Sequence, residues 1–509
     1  MTRPPLLNRA LLREPEFQRR ADVAVPSPAL LDLPERAIQF GTGVFVRGFV
    51  DYFIDEANRR GRFGGRVVAV SSTGSGRAAA LRAQDGLYTL CTRGTEAGRE
   101  VQRQRIVSSL SRTLSAKDEW DAVLECARDP ALELVFSNTT EVGIALDAGD
   151  DPSRSPPRSF PGKLTRFLFE RAEALDYDPA RGLVVLPCEL IEDNGDRLRE
   201  IVLTLAERWG LGERFERWIR AAVPFCNTLV DRIVSGTPDE SARARLAQEL
   251  GYRDELLTVC EVYRLFAIEA EGALRERLAP LAADAGVVFT ESVRAYRERK
   301  VRLLNAAHTA IVSAALLCGC ETVRDAVEHP LVGVLLRRTM LDEIVPVVEA
   351  PHAAAFAREV LQRFANPFIE HALFDITLQG TTKMCVRVAP LIVRHARRRG
   401  AIPAALTFGF AAFLLFMRGE LRARRRAAGL PVPRDAAAER LRGRDAREIC
   451  RDESLWGPEL AALPGFADAV AEDLARMESD GVEAALARLL SLSDPAARSR
   501  SGSAQHSNA

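Results

Sequence analysis

The sequence predicts an α/β N-terminal domain built on a parallel sheet, followed by a mostly α-helical C-terminal domain. Three observations carry that expectation. Short apolar runs alternate with helical patterns through the first half, a glycine turn follows the first such run, and beyond about residue 296 the strand pattern stops. Short buried strands separated by helices are what a parallel sheet covered on both faces requires.

In order, Ala37–Phe40 is the first strand, ending in Gly41-Thr42-Gly43, and residues 45–58 have helical periodicity. Arg66–Val70 is the second strand, ended by the Ser/Gly-rich stretch from Ser71 to Gly76. Arg105–Ser109, less apolar, is read as a third, and Leu132–Ser137 and Leu183–Cys188 follow, each after a helical pattern. Residues 149–161, rich in Pro, Ser and Asp, read as a surface loop. Gly286–Thr290 is the last strand candidate; residues 301–317, 330–348, 353–364, 404–426 and 466–490 then read as helices. These patterns place an N-terminal domain at 30–285, a helical domain at 286–495 and a disordered tail at 497–509.

At 509 residues the chain is too long for one core. Seventy basic residues balance seventy acidic ones, so no charge excess calls for nucleic acid or an acidic membrane. The nine cysteines are scattered without zinc-site spacing, which predicts no metal and suits a reducing compartment such as the cytoplasm. The N-terminal residues lack the apolar core of a signal peptide. Residues 401–417 are apolar but interrupted by Pro403 and Gly409, and a spanning helix needs about 20 apolar residues, so a buried helix is expected.

Gly41-x-Gly43 between strand and helix suits a dinucleotide phosphate, because glycine lets the backbone approach it at a helix N-terminus. A third glycine would fall at Val46, so a plain turn remains an equal reading. The second strand ends in Ser71 rather than an acid, and Arg77 lies nearby, which leaves NADP open beside NAD.

Only four lysines stand among 66 arginines. One opens Lys300-Val-Arg-Leu-Leu-Asn305-Ala-Ala-His308. On an α-helix Asn305 would lie about 140° and His308 about 80° from Lys300, roughly on one side. Lysine, unlike arginine, can be desolvated until it exchanges protons near neutral pH. An amine beside an amide and an imidazole is a set that carbonyl reduction would use; an exposed Lys followed by a satisfied Asn and His is the alternative.

Together these pieces resemble the long-chain, metal-independent polyol dehydrogenase/reductase family that includes mannitol 2-dehydrogenase and the hexuronate reductases. The matching stretches are Phe40-Gly-Thr-Gly-Val-Phe-Val-Arg47, Asp85-Gly-Leu-Tyr88, Phe136-Ser-Asn-Thr-Thr-Glu141, Pro187-Cys-Glu-Leu-Ile-Glu-Asp-Asn-Gly195, Asn227-Thr-Leu-Val-Asp-Arg-Ile233, Arg299 to His308, and Lys383-x-x-x-Arg387. They run in order over most of the chain, and Ser137–Glu141, Pro187–Glu192 and Arg297–Lys300 favour the hexuronate branch. The resemblance implies an α/β Rossmann-type domain, a mostly helical second domain, and NAD-dependent reduction of a keto-hexuronate, with a neutral ketose as the alternative substrate. It implies Lys300 as acid/base, Asn194 and Asn305 as hydrogen-bond donors to the reacting oxygen, and His308 as an orienting group. For the cofactor it points to Phe40, Gly41, Gly43, Val44, Phe45, Arg47, Ser71, Asn138, Thr139, Thr140 and Glu141. The carboxylate of a sugar acid needs a cation; Lys383 and Arg387, one helical turn apart, are candidates, with Arg297 another and His371 a further substrate contact. A small-molecule enzyme, monomeric or a small homo-oligomer, is expected; a non-catalytic dinucleotide-sensing protein and a helical scaffold are the competing classes.

Overall fold

In the computed structural model, the apolar runs of the N-terminal half form strands buried on both faces. The structure describes residues 4–71, 76–96, 99–139, 143–238, 240–350, 352–368, 371–418 and 434–492. The chain divides into two units, Met1–Val293 and Arg294–Ala509. The expected tail at 497–509 lies outside the described residues.

The strands of the first unit, in chain order, are β1 (Glu35–Phe40), β2 (Arg66–Ser71), β3 (Tyr88–Glu96), β4 (Arg99–Val107), β5 (Leu110–Ser115), β6 (Leu134–Ser137), β7 (Val184–Pro187), β8 (Thr228–Asp231), β9 (Val234–Gly236), β10 (Thr258–Glu261), β11 (Leu265–Glu269) and β12 (Val287–Thr290). Five of them form a parallel sheet in the order β5-β2-β1-β6-β7, with Gln39 beside Ala69 and Phe136 in the central register. Successive side chains of a strand point to opposite faces. Accordingly Ile38, Val68, Val70, Val135 and Val185 enter one apolar core, while Ala37, Val67, Ala69, Leu134, Phe136, Val184 and Leu186 enter another. Helices Val50–Arg59, Trp120–Arg128, Phe160–Ala174 and Asn194–Arg208 supply apolar residues to these cores.

Two smaller sheets, β4-β3-β10-β9 and β12-β11-β8, complete this unit. They explain two differences from the sequence expectation. Residues 105–107 do not join the parallel sheet: they end β4, which pairs antiparallel with β3, and the third parallel strand is β5. β4 carries alternating polar residues with an exposed outer half, whereas β5 buries Leu110, Thr113, Leu114 and Ser115. The unit boundary also falls at 293/294 rather than 285/286, because β12 pairs in parallel with β11 of the first unit.

The second unit is helical. Helices Ala306–Leu317 and Ala404–Met417 cross closely at Gly409, where a Cβ would lie 2.3 Å from the Ala310 carbonyl oxygen. Residues 405–414 are buried on every side, as a core helix requires, and no helix among the described residues is long and apolar enough to cross a membrane. The buried Glu343 carboxylate caps this helix by accepting the Ala405 and Leu406 amides at 2.7 and 2.8 Å. The expected helix 466–490 is broken at Gly481, φ +86°, into Phe466–Asp480 and Val482–Leu492. Of the expected helix 404–426, residues 419–426 lie outside the described residues. Among the described residues three π-helical segments interrupt the α-helices: Lys300–Asn305, Arg338–Ile344 and Met384–Val388. Such segments occur mostly as single-turn bulges and are frequent at functional sites.

Candidate active site

In the first unit the parallel sheet reverses its direction of build-up between β1 and β6: β2 and β5 lie to one side, β7 to the other. Ligands of open α/β sheets bind outside the strand C-termini at such a point. Two turns meet there. Gly41 adopts φ +138°, and a Cβ on it would come 2.8 Å from the Asn138 carbonyl oxygen. Its amide donates to Val70 O at 2.9 Å, while the Asn138 amide donates to Phe40 O at 3.1 Å. At Gly43, which precedes helix Val44–Gly48, a Cβ would meet nothing within 4 Å. Bare backbone at a helix start thus faces open space, as close approach of a phosphate would require. Val46 occupies the third-glycine position and is fully buried; the close contact falls instead at Gly48, whose Cβ would sit 2.8 Å from Val234.

The other candidates around this crevice divide by burial. Val44, Asn138 and Thr139 are half-buried, and Phe45 stacks on Phe49 at 5.0 Å. Phe40 packs inward on Phe160 and Phe167, and Ser71 is buried at the end of β2. Thr140, Glu141 and the Arg77 side chain lie outside the described residues. Two expectations need correction. Arg47 is 1% exposed, with its guanidinium donating to Thr42 O and Thr258 Oγ1, so it secures the glycine turn from within. Asn194 is fully buried: its Nδ2 donates to Pro187 O at 3.0 Å and Glu189 O at 3.1 Å, and its Oδ1 accepts the Thr228 amide at 2.9 Å. An amide with both ends committed to the backbone has no donor left for a substrate oxygen.

The second unit holds the Lys300 segment. In a π-helix the N–H of residue i+5 bonds back to the carbonyl of residue i. Asn305 therefore follows Lys300 by about one turn instead of standing well round the helix, a tighter juxtaposition than α-helical spacing predicts. The Asn305 side-chain amide makes no hydrogen bond among the described residues; the Asn305 backbone carbonyl accepts the Thr309 hydroxyl at 2.6 Å. Arg387, on the third π-segment, donates from Nη1 to that same hydroxyl at 3.3 Å. Arg302 holds this segment by donating to the carbonyls of Val386 and Arg387, while Glu298 neutralises Arg302 and Arg394.

Lys383 donates from Nζ to Ile376 O at 2.9 Å, leaving two of its hydrogens without a partner among the described residues. His308 is 8% exposed, its Nδ1 has no hydrogen-bond partner among the described residues, and its ring stands perpendicular to that of His371 at 6.1 Å. Burial first, then Arg387, His371 and Lys383, holds His308 well below the usual imidazole range, so it is neutral. Burial and the Arg387 charge likewise lower Lys383, and burial lowers Arg387. His371 is lowered by burial against a weaker opposing pull from Asp375. Lys300 and Arg297 are both half-buried.

The structure thus brings Asn305, Arg387, Lys383, His308 and His371 into one interacting set. Sequence reasoning missed Thr309, which links Asn305 to Arg387; a threonine four residues after Asn305 is spaced for the hydroxyl-to-carbonyl bond it makes.

Residues 35–279 match the mannitol dehydrogenase Rossmann domain and residues 292–478 the mannitol dehydrogenase C-terminal domain. The chain belongs to the mannitol dehydrogenase family. Among curated relatives, "Altronate oxidoreductase" of Bacillus subtilis (strain 168) is 40% identical over 455 residues, covering 89% of this chain and 95% of that protein. The protein of the same name from Pectobacterium carotovorum subsp. carotovorum (strain PC1) is 40% identical over 475 residues, covering 89% and 96%. Among solved structures, the Pseudomonas fluorescens mannitol 2-dehydrogenase ternary complex with NAD and D-mannitol superposes with TM-score 0.69 at 24% identity, over 95% of this chain and 99% of that one. Substrate-free D-sorbitol dehydrogenase superposes with TM-score 0.78 at 23% identity, over 94% and 100%. These likenesses agree with the Rossmann-type sheet and the helical second unit seen here. The family and its oxidoreductase relatives make this chain an oxidoreductase acting on CH–OH groups.

Proposed function

We propose that the protein catalyses the reversible, NAD-dependent reduction of tagaturonate to altronate in the cytoplasm, as a step of hexuronate breakdown. The observation that carries this reading is the half-buried cationic pair of Arg387 and Lys383 beside two imidazoles, next to the Lys300–Asn305 segment. Cations lowered by burial, with donors to spare, are stabilised by an incoming anion, and the carboxylate of a sugar acid is such an anion. A neutral polyol would leave those charges uncompensated. The curated relatives named for altronate support the same choice.

The glycine turn fits a dinucleotide: Gly41, Gly43 and the first amides of helix Val44–Gly48 would hold its phosphates, with Asn138 and Thr139 across the crevice. When bound, the reduced nicotinamide supplies the hydride that the ketone carbon receives. Lys300 then gives a proton to the oxygen, and takes it back in the oxidative direction. Asn305 donates its uncommitted amide to that oxygen as charge develops; a donor of this kind typically lowers the barrier by about 3 kcal/mol. Neutral His308 orients the substrate hydroxyls, or Lys300, without competing for the proton. Arg387 and Lys383 bind the carboxylate, with Arg297 and His371 as flanking contacts.

Steady-state oxidation of NADH and NADPH with tagaturonate, fructuronate and fructose tests the reading. Turnover of tagaturonate with NADH at least tenfold more efficient than the other combinations is expected; preferential turnover of fructose would overturn it. A dinucleotide sensor without catalysis would show binding and no turnover with any ketone.

A further inference from the structure

Behind the turn that ends β6 stands a buried acid with every oxygen engaged. Glu189 is 3% exposed and lies two residues past the end of β7, after Cys188. Its Oε2 accepts the Ser137 hydroxyl at 2.9 Å, and its Oε1 accepts both the Thr139 amide and the Thr139 hydroxyl at 2.9 Å. The backbone alongside adds two more ties: the Cys188 amide donates to Ser137 O at 2.7 Å, and Asn138 Nδ2 donates to Cys188 O at 2.9 Å. The turn so held is the one whose Asn138 carbonyl lies against Gly41. A shift of residues 137–139 therefore bears on the glycine turn as well, since the Asn138 amide donates to Phe40 O at 3.1 Å and no room for a Cβ separates Gly41 from the Asn138 carbonyl.

We propose that Glu189 is a positioning residue for the dinucleotide: its carboxylate sets the β6 turn, and through Asn138 the glycine turn, at the crevice between β1 and β6. The inference rests on the dinucleotide reading above. Three charge-assisted hydrogen bonds on one carboxylate exceed what is needed to end a strand; β7 itself is already paired along its length with β6. The groups held form the β6 side of the crevice directly and reach the β1 side through the Asn138 amide on Phe40 O. Burial raises the Glu189 carboxyl against the pull of its three donors, so it takes up a proton at higher pH than an exposed glutamate and then accepts fewer hydrogen bonds.

Glu189→Gln keeps shape and burial but replaces one acceptor oxygen by an NH2 that opposes the Thr139 donors. The expected result is a folded protein whose Kd for NADH, by fluorescence titration, rises about tenfold or more. Its KM for the ketone at saturating NADH should stay within about twofold of the wild type. The wild-type Kd should also weaken as pH falls through the raised Glu189 range, a trend the Gln variant lacks. Should Glu189→Gln not fold, Ser137→Ala removes a hydroxyl donor to Glu189 without touching the cofactor-lining residues, and a smaller rise in Kd with the same selectivity is expected. A folded variant with unchanged NADH affinity, or with parallel losses for NADH and ketone, overturns the proposal. A wild type that binds neither NADH nor NADPH instead overturns the dinucleotide reading itself.

Discussion

Arg387→Ala should convert a sugar-acid reductase into one that no longer distinguishes acids from neutral ketoses. Arg387 spends one donor, Nη1, on Thr309, and keeps the rest of its fork for a ligand. A carboxylate about 4 Å from a guanidinium at an effective dielectric near 20 gains about 4 kcal/mol. Arg387 is half-buried, so part of its desolvation, which lowers its pKa, is already incurred in the free protein and part of that gain survives binding. Lys383 remains in the variant and recovers part of the attraction. A net loss of about 2 to 3 kcal/mol is expected, or about 30- to 150-fold in kcat/KM for tagaturonate. Fructose carries no carboxylate, so its kcat/KM should change by less than about threefold. The assay is NADH oxidation with each ketone on the wild type, Arg387→Ala and Arg387→Lys; the lysine, with charge but no fork, should fall between them. Equal losses for both ketones would show that Arg387 supports the fold of the π-segment rather than reading the substrate. No loss for either would remove it from the site.

Lys300→Ala should lower kcat about a thousandfold while NADH affinity, measured by titration, stays unchanged, and added methylamine should restore part of the rate. An alanine variant with wild-type turnover would refute the proton-transfer role. Glu343, whose burial pushes its carboxyl from 4.5 up to about 7, binds its proton more tightly folded than unfolded. Its contribution is therefore fully present below pH 4.5 and is lost as pH rises toward about 7, by at most about 3 kcal/mol. Urea melts should show a smaller fall in stability over that range for Glu343→Gln than for the wild type; Asp51, also raised to about 7, has the same sign, so the difference between the two proteins is what counts. Identical pH slopes would contradict the raised carboxyl. Among the described residues no group of three or more His, Cys, Asp or Glu is placed to hold a metal ion, and dialysis against EDTA should leave turnover intact; recovery of lost activity on adding a divalent ion would argue otherwise.

What could be seen in the sequence follows from which forces leave a periodic trace. Strands buried on both faces must be apolar at every position, and β2, β6 and β7 were visible for that reason. β5 and the part of β4 before Arg105 were not, since β4 is polar and half exposed there and β5 buries serine and threonine among its leucines. Lys300, Asn305 and His308 stood out through scarcity and spacing, but an α-helix and a π-helix share the same apolar pattern over one turn. Only the structure shows that Asn305 is drawn close to Lys300 and that its amide is uncommitted. Asn194 is the converse case. The family resemblance implies a donor to substrate there, whereas the carbonyls of Pro187 and Glu189 just upstream and the amide of Thr228, 34 residues on, absorb both ends of it. Buried polar side chains must be satisfied, and which partners satisfy them is settled by tertiary contacts that no local pattern encodes. The same argument explains why Glu189 was passed over: its partners, Ser137 and Thr139, lie half a hundred residues upstream, so an acid that governs a turn looks, in sequence, like an acid that merely ends a strand.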